Sequence, residues 1–213
     1  MKLQNIGVIR QFELPSGFVR GEQLRGAIGN SWRLSFHPEN NDAVEIIAFQ
    51  RGLPLCAEDS TAFRQLLRRG GGQIIGPDLA VADEPVALLH QLGQTLGNAA
   101  NNQLVNQAEG LRGPAFQLAA LEAREIGERT VLVLTGRFHR TGAKLEAIAD
   151  LDDERARKAD GSVYYQGLFM DGSSWHRPCQ VEELLLQADT YKLFAQYQPL
   201  FAEAVGTMLW QEK

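Results

Sequence analysis

The densest run of chemically capable side chains is Asp171-Gly-Ser-Ser-Trp175-His176-Arg177-Pro178-Cys179. Ser174, His176 and Cys179 are types that build nucleophilic sites, where a base within hydrogen-bond reach activates a hydroxyl or thiol. The segment lacks the G-x-S-x-G turn that lifts a serine onto a strained bend beside an oxyanion hole. Two strands joined by a loop account for it more simply, with Trp175 packed over the sheet edge. A loop Trp beside His and Arg also makes a recognition surface, since Trp and Arg dominate binding hot spots. Trp175, His176 and Arg177 are therefore candidate binding residues, and no residue is assigned a catalytic role.

Gly136-Arg-Phe-His-Arg-Thr-Gly142-Ala-Lys144 has the outline of a phosphate loop. A true one is G-x-x-x-x-G-K-S/T, with Lys directly after the second Gly. Here five residues separate the glycines, Ala143 intervenes and Leu145 follows Lys144. A strand leading into a basic loop fits better. Arg137, His139, Arg140 and Lys144 still lie close together, and on a strand Arg137 and His139 share a face with Phe138 opposite. An anion or an acidic partner segment is the ligand such a group would take. If this segment and 171–179 lie at one sheet end, Arg137, His139, Trp175, His176 and Arg177 form one cationic-aromatic patch.

Metal chemistry finds no support. Asp150-Leu-Asp152-Asp153-Glu154 fails the calcium-loop pattern, because Arg155 stands where the invariant Gly belongs. Cys56 and Cys179 belong to no CxxC pair, and four scattered histidines add no zinc spacing. The two cysteines read as two reduced buried thiols, with a single disulfide between them as the alternative. No cofactor is implied.

The elements that must position these residues follow from pattern. Residues 6–14 read as a strand ending at Pro15-Ser16-Gly17. Trp32 to His37 alternates apolar and polar, and with 43–50 it makes a hairpin. Ser60 to Arg69 reads as a helix with Phe63, Leu66 and Leu67 as its stripe. A second helix is expected from Asp83 to about Thr95, and a loop over 97–113. Residues 116–126 and 129–138 flank the turn Gly127-Glu128. Val131 to Leu134 is continuously apolar, which marks a central strand covered on both faces. Residues 144–158 read as a solvated, charged excursion. Strands follow over 162–170 and 181–187. Asp189 is expected to cap a short helix, with Pro199 restarting a second. Trp32 and Trp210 read as core.

With 213 residues, the chain can bury about 70% of its unfolded surface without a metal or disulfide staple. Lys plus Arg is 21 and Asp plus Glu is 26, a net charge of −5. No basic run exceeds Arg68-Arg69, which argues against a nucleic-acid partner. No apolar stretch approaches the roughly 18 residues of a membrane span. The first residues carry no apolar leader core, so a cytoplasmic location is expected. Strands with short connections outnumber helices and no βαβ rhythm appears. The expected fold is a single α+β domain over residues 1–213, with a mainly antiparallel sheet covered by helices and a loop-rich or helical insertion near 70–114.

This order resembles the PsbP-like family, which includes the Mog-type Ran-binding proteins. The resemblance rests on Glu13-Leu14-Pro15-Ser16-Gly17-Phe18, on Tyr164 to Gly172, on Glu182 to Ala188, and on Tyr197 to Trp210. It covers both ends of the chain. It implies an antiparallel sheet between helical layers, an α/β/α sandwich, and a role in binding other proteins without enzymatic activity. A non-enzymatic protein-binding module, adaptor or chaperone-like, is the function expected. The rival from another class is a hydrolase or small-ligand binder built on the cluster at 171–179. A third reading is a structural subunit that self-associates into a homo-oligomer through a sheet edge.

Overall fold

The structure is a computed structural model, and it describes residues 1–25, 32–54, 57–68, 72–75, 117–139, 162–173 and 180–212. Strands β1 (Lys2–Ile6) and β2 (Ile9–Glu13) form a hairpin, and β11 (Leu209–Trp210) pairs with β2, which makes a three-stranded sheet among the described residues. The single strand expected over 6–14 is broken at Gly7, whose φ of +56° lies in the left-handed region. The chain turns back there, so that Ile6 faces Ile9.

Among the described residues the large sheet has eight strands. They are β3 (Phe18–Arg25), β4 (Trp32–Pro38), β5 (Val44–Pro54), β6 (Gly72–Ile75), β7 (Gln117–Ile126), β8 (Arg129–His139), β9 (Ser162–Asp171) and β10 (Gln180–Ala188). Their spatial order is β3-β4-β5-β10-β9-β8-β7-β6, antiparallel throughout. Two meanders are thus joined by the pairing of β5 with β10. Val131 to Leu134 are all buried, as their unbroken apolar run requires of a central strand.

The two faces of this sheet are covered differently. On one, Leu184 and Leu186 of β10, Ile46 of β5 and Leu168 of β9 share a core with Phe12 of β2. Phe201 and Val205 of the C-terminal helix enter the same core. That layer is therefore a mixture of the small sheet and one helix. On the other face, helix α1 (Ala57–Arg68) contacts β8, with Phe63 and Leu66 buried outside that core. The described residues do not form the expected α/β/α sandwich. The hairpin at the start of the chain takes the space that a helical layer would fill.

Helix α2 runs unbroken from Tyr191 to Gly206. The cap is Thr190 and not Asp189: its extended backbone lets Oγ1 accept from the Leu193 N–H at 3.3 Å. Pro199 sits inside the helix and does not restart it. The carbonyl it leaves unpaired, that of Ala195, is on the exposed side, where water can satisfy it. Thr190→Ala should therefore cost about 1 kcal/mol in stability. Chemical denaturation of this variant measures the loss.

Candidate functional site

A groove opens where α1, the start of β8, the end of β9 and β11 meet. Its volume is ≈ 280 Å³, and its walls include Arg64, Arg68, Arg129, Asp171, Met170 and Trp210. A larger hollow of ≈ 700 Å³ shares Glu128, Arg129 and Trp210 with it and is bordered by Arg10 and Leu209. Arg129 and Trp210 thus stand as a ridge between two hollows. The Arg129 guanidinium lies 5.3 Å from the Trp210 ring centre, in cation–π geometry. It also donates to the Gln211 carbonyl at 2.6 Å. The Trp210 indole N–H donates to the Ile126 carbonyl at 2.7 Å. Both ends of the ridge are held, so its shape precedes any ligand. Trp210 is half-buried against the core and open on its other side, and so only partly the core residue expected.

Positive charge dominates the rim by a small margin. Arg64 is engaged, with Asp171 at 3.7 Å and the Ser173 hydroxyl at 2.9 Å. Arg10 and Arg68 are exposed, and neither has a charged or hydrogen-bonding partner among the described residues. Leu209 is 42% exposed beside them.

The face of the large sheet on the α1 side carries a second group of polar residues. Arg33, Phe49, Glu183 and Phe169 form one transverse row across β4, β5, β10 and β9. Two rows away stand Glu45, Gln187 and Tyr165. Tyr165 reaches back along its strand, and its hydroxyl hydrogen-bonds Glu183 Oε1. It passes over Gly167, where a Cβ would collide with the ring. Glu45 Oε2 accepts from Gln187 Nε2 at 2.6 Å and from the Arg33 guanidinium at 3.2 Å. Glu183 is 2% exposed, and burial pushes its carboxyl up to about 8 although the Tyr165 hydrogen bond pulls the other way. Burial and the neighbouring Glu183 together raise the Tyr165 phenol well above its usual value.

Glu182, the adjacent residue, points to the opposite face. Its Oε2 accepts from the Val8 N–H at 2.7 Å and so holds the β1–β2 turn against β10. Its role is structural.

Among the described residues, Arg137 and His139 stand at the opposite end of the sheet from Asp171. His139 pairs with Ser162 at the start of β9, and Arg137 pairs with Tyr164. Asp171 ends β9 at the other extreme, roughly 30 Å away for a strand of this length. The chain therefore enters 140–161 and 174–179 from opposite ends of the sheet, and Arg137 and His139 have no shared sheet end with the 171–179 segment. Arg137 is exposed on β8. Arg140, Lys144, Trp175, His176 and Arg177 lie outside the described residues, as do Ser174, Cys56, Cys179, the helix expected over 83–95 and the excursion over 144–158. The described parts of the 171–179 segment border the groove: Asp171 lines it and Ser173 holds Arg64.

Arg64, Arg68, Arg129, Tyr165 and Glu183 escaped the sequence reading. One signal was available for Glu183. In Val181-Glu-Glu-Leu-Leu-Leu, successive side chains point to opposite faces, so a strand covered on both sides must bury both carboxyls. Among the described residues no group of three metal-ligating side chains comes together, and no helix is long and apolar enough to cross a membrane. Comparison with protein-family models, curated proteins and solved structures found no match.

Proposed function

We propose that the protein is a non-enzymatic binding module of the cytoplasm that holds a segment of another protein in the groove at the Arg129–Trp210 ridge. The observation that carries this reading is the ridge itself: an aromatic-guanidinium pair, fixed by two hydrogen bonds, with a hollow on each side. Rigid Trp and Arg anchors of this kind concentrate binding energy, because they bury large area without much loss of freedom. The partner segment is extended and acidic. Its carboxylates pair with Arg10 and Arg68, and an apolar side chain packs against Trp210 and Leu209. Trp175, His176 and Arg177 stay in this reading as candidates from the sequence, which follow Asp171 and Ser173 at the groove border. Arg137, His139, Arg140 and Lys144 are a separate basic stretch of the sequence, of which Arg137 and His139 stand at the end of β8 away from the groove. The resemblance to PsbP-like proteins supports the same role, through the order of β9, β10, α2 and β11 ending in Trp210.

A photo-crosslinker at Leu209 in the native cell, followed by mass spectrometry, should capture one predominant partner. Purified, that partner should bind the Arg10→Glu/Arg68→Glu variant at least about tenfold more weakly, or 1.4 kcal/mol. Its affinity for the unaltered protein should fall as salt rises. Arg137→Glu should bind as the unaltered protein does. Equal binding by the doubly reversed variant, or no captured partner, rejects the groove.

A further inference from the structure

The two hollows beside the Arg129–Trp210 ridge differ in size and in charge. Among the described residues, the smaller, ≈ 280 Å³, sets Arg64, Arg68 and Arg129 against Glu128 and Asp171. Arg64 is engaged by Asp171 and Ser173, and Arg129 by the Gln211 carbonyl and the Trp210 ring. Arg68 is exposed and keeps its donors for an incoming anion, and a guanidinium matches a carboxylate with two parallel hydrogen bonds. The larger hollow, ≈ 700 Å³, sets Arg10 and Arg129 against Glu128 and Glu212, so its charges balance. A carboxylate gains little there.

What the larger hollow offers is apolar surface. Leu209 is 42% exposed in it, and the Trp210 indole forms the wall next to Leu209. Gly127 keeps one edge of that indole open: it turns with φ +58°, and a Cβ there would stand 3.5 Å from Trp210 Nε1. A bulky apolar side chain entering this hollow covers both Leu209 and the ring edge. Glu128 borders both hollows and is exposed. It therefore stands beside any residue that crosses the ridge, and it repels a carboxylate at that point.

Taking the groove as the partner's seat, on which this rests, we propose that the partner segment is recognised by an ordered pair of unlike side chains. A carboxylate enters the small hollow against Arg68, and a bulky apolar side chain enters the large hollow against Leu209 and Trp210. No acid lies between them, where Glu128 stands. Arg10 meets a second acid beyond the apolar residue, and Glu212 in the same hollow weakens that contact. Arg68 and Arg10 are thus unequal: Arg68 sets which segment is bound, and Arg10 adds a smaller attraction.

The probes are fluorescent peptides made of two glutamates, a glycine spacer and the photoreactive apolar residue p-benzoylphenylalanine, synthesised in both orders because the bound chain has one direction. Saturable binding to the full chain is expected, tighter for one order. Irradiation of that complex should label Met208 or Leu209 in the large hollow, not Leu67 or Met170 in the small one. Arg68→Glu should weaken it at least about tenfold, and Arg10→Glu by less than about threefold. A peptide with lysines in place of the glutamates should bind Arg68→Glu within about threefold of the original pair. Replacing the glycine spacer by glutamate should weaken binding about threefold, although it adds negative charge. The ordered pair is overturned by labelling of Leu67 or Met170, by equal losses at Arg10 and Arg68, by tighter binding of the glutamate-spacer peptide, or by no saturable binding. Each of those results leaves the groove itself to the crosslinker at Leu209. Labelling outside both hollows that the Arg10→Glu/Arg68→Glu variant does not change rejects the groove as well.

Discussion

Glu183→Gln should flatten the dependence of stability on pH and make the protein markedly more stable than the unaltered chain at pH 8. The cause is proton linkage. The Glu183 carboxyl has an ordinary value of 4.5 and is pushed up to about 8 in the fold, chiefly by burial. Between those two values the unfolded chain has released this proton and the folded chain still holds it. Stability from this group is therefore fully present below pH 4.5, declines as pH rises, and is lost once pH passes 8. The slope is about 1.4 kcal/mol per pH unit, and the whole window amounts to about 5 kcal/mol. Gln titrates nowhere in that range. The gap between variant and unaltered protein should then widen by about 4 kcal/mol from pH 5 to pH 8, on the order of 10 °C in melting temperature for a chain of this size. Parallel melting curves across the range would sink the assignment of a neutral, buried Glu183. Tyr165→Phe acts in the opposite sense. It removes the one hydrogen bond that pulls the carboxyl down, so the ionisation should move still higher, and the orphaned Oε1 should cost about 1–3 kcal/mol at every pH.

The strands of the C-terminal half are legible residue by residue because their patterns leave one solution. Gly127-Glu128 between two apolar runs is a hairpin in the sequence and in the structure. Val131 to Leu134 is a central strand in both. The pairing of β5 with β10 is a different case: some 130 positions separate the partners, and no local signal declares it. The small sheet is hidden for a related reason. Residues 6–14 are apolar enough to be one strand, and only the left-handed Gly7 divides them. A glycine's type shows freedom, but its φ is settled by what packs around it.

The site was less legible than the fold, and the reason is geometric. Sequence neighbours such as Arg137 and His139 invite grouping, whereas the groove collects Arg64 and Arg68 from α1, Arg129 from the start of β8, and Trp210 from the last strand. Those residues meet only because β8 and β9 lie side by side and the C-terminal strand returns to β2. No spacing rule links them. A Trp and an Arg do stand together at the groove, Trp210 and Arg129, whereas Trp175 and Arg177 lie outside the described residues.

Gly7→Ala should destabilise the protein by about 3 kcal/mol, from two separable causes. A left-handed backbone costs an L-residue roughly 1–2 kcal/mol. The added Cβ would also collide with the Glu182 carboxylate, which fills the space above Gly7. Displacing that carboxylate breaks its bond to the Val8 N–H and leaves charge buried at a residue only 6% exposed, worth a further 1–3 kcal/mol or so. Glu182 has little room to retreat, because Gly172 lies close on its other flank and a Cβ there would come within 2.7 Å of Glu182 Cγ. Gly17 provides the comparison. It too has a positive φ, +80°, but nothing lies within 4 Å of where its Cβ would be. Gly17→Ala should therefore show the backbone cost alone, about 1 kcal/mol or slightly more. The difference between the two glycine variants measures the collision. Removing the carboxylate should recover that difference, so Gly7→Ala in a Glu182→Ala background should cost no more than Gly17→Ala. Urea denaturation of the four variants settles the matter, since additive losses at positions 7 and 182 would mean that the two residues do not share the contact that fastens the small sheet to β10.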